Sequence, residues 1–280
     1  MSKLIVKKSE GLYGNVKISG SKNSSLPILA ACILTSGKNI IANVPRLSDI
    51  TTMYSLLEAL GAKIDVKKEQ VVVNCENIIN YTTPYELVAK MRGSFLLSGA
   101  LLARLGKARI SLPGGCPIGT RPVDLHLKGF SAMGAQISQG HGYVDMSAKK
   151  LHGAKIYLDF PSVGATENII MAAVTAEGET IIENAAAEPE IVDLTDFLTK
   201  QGAKITGAGS DTIKICGVEE LQPVIHRVIP DRIEAGTFMV AFSMTGGRGI
   251  IENVNHDHIK PVCAKLSEMG VEISELSENS

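Results

Sequence analysis

A five-residue motif occurs four times at intervals of 68 to 73 residues. Its second residue is Gly, its third is Ala or Val, its fourth is polar and its fifth is Ile. Each copy follows an amphipathic helical pattern, such as residues 53–60, and precedes a short segment with β character. Glycine at this point readily takes the left-handed conformation that ends a helix. Recurrence at a nearly fixed spacing predicts four copies of one structural unit. The repeated glycines are Gly61, Gly134, Gly202 and Gly270.

Each repeat has a second, upstream segment that is apolar on nearly all sides and rich in small residues, which predicts a buried helix. A glycine ends this helix, and a β-branched segment follows it. The predicted unit is therefore helix, strand, loop, helix and β-hairpin, in an inside-out α/β arrangement with sheets around a helical core. The predicted buried helices are 26–32, 96–102, 169–174 and 238–242, and the strands after them are 39–43, 108–112, 180–184 and 249–253.

Composition limits the class of protein. The chain has 280 residues, 45% of them hydrophobic, and a net charge of −1, which is typical of a globular protein of one large or two moderate domains. The charge balance favours neither nucleic acid nor a membrane surface, and the first residues do not resemble a signal peptide. The five cysteines are widely spaced without a C-x-x-C pair, which argues against a disulfide framework or a zinc site. We expect a reducing cytoplasm.

The second repeat is four residues longer than the others between its strand and its second helix. The extra residues form the glycine- and proline-rich segment 113–120 around Cys116, and Arg121, Asp124 and His126 follow it. A thiol beside a cation and free backbone N–H groups suits a nucleophile or a general acid. The alternative is an inert loop cysteine. A Cys–His pair would also suit a cysteine hydrolase, but the sequence places no third group to orient the histidine.

Cations or small polar residues stand where each predicted buried helix begins. Lys22 and Asn23 begin the first helix, Arg92 the second, residues 162–166 the third and residues 231–236 the fourth. Free N–H groups and the helix dipole favour an anion at such a position. These residues therefore predict an anion-binding cleft, with ordinary capping turns and solvated side chains as the alternative.

Two acidic or histidine-rich segments are candidates for a metal site. Residues 188–193 contain two glutamates and an aspartate around a proline, and residues 256–258 read His-Asp-His. Such patterns more often form solvated turns than metal sites. We therefore predict no metal at either segment.

The motifs above resemble those of the UDP-N-acetylglucosamine 1-carboxyvinyltransferase family, also called UDP-N-acetylglucosamine enolpyruvyl transferases. The resemblance extends over essentially the whole chain, and the cysteine loop is its most specific part. The sister family, 5-enolpyruvylshikimate-3-phosphate synthase, shares the repeat but lacks the Pro-Gly-Gly-Cys loop. The motifs that carry the resemblance are residues 19–23, 112–126, 162–168, 188–193 and 230–237.

The resemblance implies transfer of the enolpyruvyl group of phosphoenolpyruvate to the 3′-hydroxyl of UDP-N-acetylglucosamine, with release of phosphate, as the committed cytoplasmic step toward peptidoglycan. It implies that Cys116 protonates the enolpyruvyl methylene carbon and can form a covalent adduct with phosphoenolpyruvate. Lys22 and Arg121 would hold the phosphate and carboxylate of that substrate. No metal or organic cofactor is implied. The residues implied on the nucleotide-sugar side are Asn23, Arg92, Pro122, Val123, Asp124, Leu125, Ser162, Val163 and Gly164.

The resemblance also implies the fold, an inside-out α/β barrel with two domains of three repeats each. Residues 22–230 would form one complete domain, and residues 1–21 with 231–280 a partial second domain with one repeat. Family members are longer, and the part with no counterpart here carries an aspartate and arginines of the site. Two further readings stay open, a catalytically inactive remnant that binds the nucleotide sugar and a chain complemented by another polypeptide.

Overall fold

The computed structural model describes residues 3–8, 10–111, 123–140, 142–277 and 279–280. The helices are α1 Lys22–Ala31, α2 Ser48–Leu60, α3 Tyr85–Val88, α4 Leu97–Leu105, α5 Asp124–Ala132, α6 Val163–Ala173, α7 Pro189–Lys200, α8 Arg232–Thr245 and α9 His256–Glu268. Short 3₁₀ helices cover Cys32–Leu34 and Arg92–Leu96. The strands are β1 Tyr13–Lys17, β2 Lys38–Ala42, β3 Lys63–Val66, β4 Gln70–Asn74, β5 Lys107–Ser111, β6 Gln136–Gly140, β7 Tyr143–Ser147, β8 Lys155–Tyr157, β9 Glu179–Glu183, β10 Lys204–Thr206, β11 Thr212–Cys216, β12 Ile225–Arg227 and β13 Arg248–Glu252.

The chain divides into two compact units, Lys22–Val228 and a second unit formed by Met1–Ser21 together with Ile229–Ser280. The larger unit contains three sheets with strand orders β12-β2-β4-β3, β5-β7-β6 and β8-β9-β11-β10. In each sheet the strand that follows the buried helix pairs antiparallel with the second strand of the hairpin. The predicted repeat and the α/β class are therefore confirmed.

The predicted inside-out arrangement is present, with the sheets outside the helices, and the described strands form separate open sheets rather than one closed barrel. Buried and exposed residues alternate along the strands. In β4, Val71 and Val73 are buried, whereas the residues between them are partly exposed. Such alternation places one face of the sheet on the helices and the other toward solvent.

Helices α1, α4 and α6 pack together at the centre of the larger unit, and small residues let their backbones approach closely. A Cβ atom placed at Gly99 would fall on the backbone carbonyl of Asn168, and one at Gly129 would clash with Ile169. Large apolar side chains fill the remaining space, with Phe130 and Phe197 fully buried. The prediction of buried helices in repeats one to three is confirmed.

The four repeated glycines end their helices as predicted. Their φ angles are 110°, 91°, 108° and 88°, all in the left-handed region that disfavours a side chain. In α2, the Gly61 N–H caps the helix by donating to the carbonyls of Glu58 and Leu57. The shared motif is therefore a helix-ending signal repeated four times.

The smaller unit contains α8 and α9 and a two-stranded parallel sheet of β1 and β13. The predicted burial of α8 is wrong, because only Ala235 and Met239 of this helix are buried and Met244 is 81% exposed. Within the described part of this unit, α8 packs on one helix and one narrow sheet, which cover a single side of it. No described helix in either unit has the length and apolar character needed to cross a bilayer.

Candidate active site

The beginnings of three neighbouring helical segments meet in the larger unit. The side chain of Leu26, in α1, lies against Gly93 at the start of the second segment. Asn168, in α6, donates from Nδ2 to the carbonyl oxygen of Phe95 at 2.9 Å. The fold therefore brings into contact the helical segments whose starts the sequence marks with Lys22, Arg92 and Ser162–Gly164, and the anion-binding cleft stays a prediction.

Lys22 is the first residue of α1, and its Nζ lies 2.9 Å from Oδ2 of Asp49, in the first turn of α2. Both side chains are partly exposed, at 38% and 31%. An ion pair this exposed contributes little to stability, so its main effect is to orient the ammonium group. Asn23 follows on the same turn and is exposed. The two predicted ligand-binding side chains are thus accessible at the start of a buried helix.

Asn168 connects these elements and was not singled out by the sequence-based interpretation, although it lies inside the 162–168 motif. It is fully buried, and its Nδ2 also lies 2.8 Å from Nδ1 of His126. Its Oδ1 accepts from the Gly99 N–H at 2.8 Å and lies 3.3 Å from the Ser98 hydroxyl. One amide therefore satisfies backbone and side-chain groups from α4, α5 and the 3₁₀ segment.

His126 is buried between Phe95 and Gly164. Its ring meets that of Phe95 edge-on, with 5.1 Å between centroids, and a Cβ atom placed at Gly164 would lie 3.3 Å from its Cε1. Burial lowers the pKa of His126 to about 3, and the positive charge of Arg92 acts in the same direction. Because Asn168 donates to Nδ1, the neutral ring carries its proton on Nε2. His126 therefore offers one N–H donor beside the 162–164 turn.

The residues predicted for the nucleotide-sugar side divide into two groups. Ser162 caps α6 by accepting from the Ala165 N–H at 3.4 Å, and Val163 and Gly164 are half-buried in the first turn. Asp124 is exposed at the start of α5. In contrast, Val123 and Leu125 are 8% and 9% exposed and belong to the core. Their side chains serve packing, so a ligand would reach mainly their backbone.

Three predicted residues, Cys116, Arg121 and Pro122, lie outside the described residues. Arg92 is half-buried at the start of its 3₁₀ segment, near enough to His126 to influence that ring. Of the predicted site residues, the structure therefore brings together Arg92 and Gly164 around His126, with Lys22 and Asn23 on the adjoining helix.

Three glutamates, Glu167, Glu188 and Glu190, lie near the starts of α6 and α7. Glu167 and Glu190 are buried, at 3% and 2% exposure, so the predicted solvated turn is wrong for Glu190. Burial raises the pKa of Glu167 well above its usual range, and the charges of Glu190 and Glu188 add to this effect. No set of three or more His, Cys, Asp or Glu in the described ranges is arranged to hold a metal ion.

Replacement of Glu167 by glutamine should stabilise the protein increasingly as pH rises. A carboxyl group whose folded-state pKa is raised takes up a proton on folding. Its contribution to stability is therefore lost as pH rises from the unfolded pKa of 4.5 toward the folded value. Glutamine removes this dependence. We expect the urea midpoints of variant and wild type to be similar at pH 4.5 and to diverge by pH 8.

The matched control is Glu69→Gln, at an exposed position. Its midpoint should follow that of the wild type across the same range. A Glu167→Gln variant whose midpoint difference from the wild type does not change with pH would contradict a protonated Glu167.

Comparison with known proteins shows the family to which the chain belongs. The sequence profile of the EPSP synthase (3-phosphoshikimate 1-carboxyvinyltransferase) family matches residues 6–280, and the chain belongs to this family. The fold agrees: it matches the enolpyruvyl transferase NikO from Streptomyces tendae with a TM-score of 0.83 and 25% identity, over 96% of this chain and 65% of that one. EPSP synthase from Acinetobacter baumannii matches with a TM-score of 0.74 and 24% identity, over 94% and 61%, which supports the fold alone.

Curated relatives indicate which members of this family the chain resembles. The chain is 59% identical over 276 residues to UDP-N-acetylglucosamine 1-carboxyvinyltransferase 1 from Caldanaerobacter subterraneus subsp. tengcongensis. It is 58% identical over 275 residues to UDP-N-acetylglucosamine 1-carboxyvinyltransferase 2 from Carboxydothermus hydrogenoformans. Both alignments cover 98% of this chain and 66% of the relative, so the chain spans slightly less than two thirds of these relatives' length.

Proposed function

We propose that the protein transfers the enolpyruvyl group of phosphoenolpyruvate to the 3′-hydroxyl of UDP-N-acetylglucosamine and releases phosphate, in the cytoplasm, as the first committed step of peptidoglycan synthesis. The observation that carries this proposal is the identity of 52–59% to relatives named for that nucleotide sugar, over nearly the whole chain. The Cys116 loop, which 5-enolpyruvylshikimate-3-phosphate synthases lack, favours the same acceptor.

The helix starts supply what the two anionic substrates need. Lys22, with Arg121 from the cysteine loop, would neutralise the phosphate and carboxylate of phosphoenolpyruvate. Asn23, Arg92 and the turn at Ser162–Gly164 would bind the nucleotide sugar, as would the start of α5 at 123–125. Hydrogen-bond donors fixed before the substrate arrives stabilise developing negative charge without reorganising during the reaction.

The proposed reaction has two stages. In the first, the sugar hydroxyl oxygen bonds to C2 of phosphoenolpyruvate while the Cys116 thiol gives its proton to C3, and the hydroxyl proton passes to a base. In the second, the bond between C2 and the phosphate oxygen breaks, phosphate leaves, and C3 gives a proton to a base, which restores the double bond. The Cys116 thiolate takes up a proton before the next turnover. General acid catalysis by a positioned group contributes about 10²- to 10⁴-fold to such a step.

The domain division belongs to the same proposal. Residues 22–230 would be a complete three-repeat domain, and residues 1–21 with 231–280 a part of the second domain. The three sheets of the Lys22–Val228 unit and the single repeat of the other unit support this division.

Phosphate release from phosphoenolpyruvate by the purified 280-residue chain tests the function. Parallel reactions receive UDP-N-acetylglucosamine, shikimate 3-phosphate or no acceptor. We expect release only with the nucleotide sugar. Release with shikimate 3-phosphate instead would assign the sister activity. Binding of the nucleotide sugar without release would favour the inactive remnant.

A further inference from the structure

Three buried polar side chains form a hydrogen-bonded network in the core, and the proposed reaction does not use this network. The Ser24 hydroxyl, in α1, hydrogen-bonds to Oδ2 of Asp193, in α7. The other carboxylate oxygen, Oδ1, lies 2.8 Å from Nε2 of His226, in β12. Exposure of the three residues is 0%, 3% and 4%. Buried polar groups of this kind persist where each finds a partner, so the arrangement calls for an explanation.

The donor and acceptor roles in this network follow from the group at its solvent-facing end. Nζ of Lys200, the exposed last residue of α7, lies 3.1 Å from Nδ1 of His226. An ammonium group can only donate, so Nδ1 accepts and the Nε2–H donates to Asp193. Both oxygens of the carboxylate then accept a hydrogen bond, one from histidine and one from serine. The edge of the Phe197 ring completes the packing, 5.5 Å from the imidazole centroid.

Ser24 is the other end of the network, and it lies in the first turn of α1. It lies one residue after Asn23 and two after Lys22, the residues proposed to meet the substrates. Asp193 and His226 are remote in sequence and approach from α7 and β12, so they connect this turn to two separately anchored elements. A buried hydrogen bond has direction as well as strength, and it fixes both the rotation and the depth of the helix start.

We propose that Asp193 and His226 are positioning residues that act through Ser24 to hold the first turn of α1, so that Lys22 is aimed at the phosphate of phosphoenolpyruvate. This inference rests on the proposed function. Purely apolar packing would bury the same helix but would leave its rotation less defined. A displacement of about 1 Å in a binding group is enough to lower catalysis by about 100-fold, so a small loss of position should be measurable.

Five variants of the full 280-residue chain separate positioning from stability. Ser24→Ala and Asp193→Leu, singly and combined, remove the connection. Asp193→Asn keeps its shape, with the amide oxygen accepting from His226 and the amide N–H donating to the Ser24 hydroxyl. The matched control is Thr195→Val, on the same helix, because its buried hydroxyl donates to the backbone carbonyl of Val192, within the same helix, at 2.8 Å. Calorimetry then gives the Kd of phosphoenolpyruvate with saturating UDP, which lacks the acceptor sugar and so allows no turnover, and separately the Kd of UDP.

We expect Ser24→Ala and Asp193→Leu each to weaken phosphoenolpyruvate binding about tenfold, and the double variant to resemble the weaker single variant, because the two residues act as one unit. Asp193→Asn should stay within about threefold of the wild type, since it retains the geometry. UDP affinity should change by less than about twofold in all variants, because all of its proposed binding residues except Asn23 lie outside α1. Thr195→Val should change neither constant.

Equal weakening of both ligands, in step with a lower unfolding midpoint, would show a merely structural role and overturn the inference. Unchanged phosphoenolpyruvate binding in Ser24→Ala would also overturn the inference. If Asp193→Leu does not fold, the Ser24→Ala result is sufficient by itself. A wild-type chain that binds UDP but not phosphoenolpyruvate would overturn the inference too. A wild type that binds neither ligand would reject the proposed function as well.

Discussion

Replacement of Asn168 by alanine should destabilise the Lys22–Val228 unit by about 3 kcal/mol or more, the largest effect we expect from one substitution in its core. The fully buried amide serves Phe95, Gly99 and His126 at 2.8–2.9 Å, with Ser98 at 3.3 Å. Alanine leaves the Gly99 N–H and Nδ1 of His126 without this partner in a space that water cannot readily enter, whereas the Phe95 carbonyl keeps the Ser98 hydroxyl at 2.6 Å. Each buried group left unsatisfied costs about 1–3 kcal/mol, which is why the sum is large.

Urea unfolding followed by far-ultraviolet circular dichroism measures this effect, with Asn80→Ala as the control. Asn80 also uses both ends of its amide, toward Ala59 and Thr82, but it is exposed, so water replaces its partners. We expect the control to cost less than about 1 kcal/mol. An Asn168→Ala variant as stable as Asn80→Ala would mean that Asn168 is not a connecting residue of the site.

Replacement of Cys116 by alanine should reduce sugar-dependent phosphate release by about 10³-fold or more, because the methylene carbon then has no positioned acid. The residue lies outside the described part of the chain, so this expectation rests on the chemistry of a thiol near Arg121 and on the family. UDP affinity should be unchanged, since the nucleotide is proposed to bind elsewhere. The rate in Cys116→Ala relative to the wild type is the quantity to measure.

Cys216→Ala is the matched control, because this thiol is exposed, at the end of β11. Its rate should stay within about twofold of the wild-type rate, as is usual for exposed positions away from a site. Retention of more than about a tenth of the activity in Cys116→Ala would exclude the thiol as the general acid, since such a group contributes at least about 10²-fold.

Local sequence patterns predicted much of the larger unit. The four glycine motifs predicted four helix ends, and the structure places each of these glycines at positive φ. The apolar segments at 96–102 and 169–174 overlap buried helices, and the segments after them form strands within one or two residues of the predicted bounds. These features depend on side-chain periodicity and backbone preference over a few residues, which the sequence displays directly.

The starts of the buried helices were also predicted as a site from local signals alone. Lys22, Arg92 and Ser162 mark three of them by residue type, and helix starts attract anions for reasons independent of the rest of the fold. The buried hydrogen bonds that support those residues were not predicted. Asn168 and Asp193 lie inside motifs that the sequence analysis quoted, but neither they nor His226 were predicted to connect elements, and only burial beside remote partners reveals that role.

The sequence by itself determined the repeat, the order of helices and strands, and the helix starts that carry cations, because each follows from short-range periodicity and capping. The tertiary structure alone decided that β12 pairs with β2 of the first repeat, that α8 remains half-exposed, and that Asn168 and Asp193 connect separate elements. These outcomes depend on which distant surfaces meet, and hydrogen bonding and burial between them have no local signature.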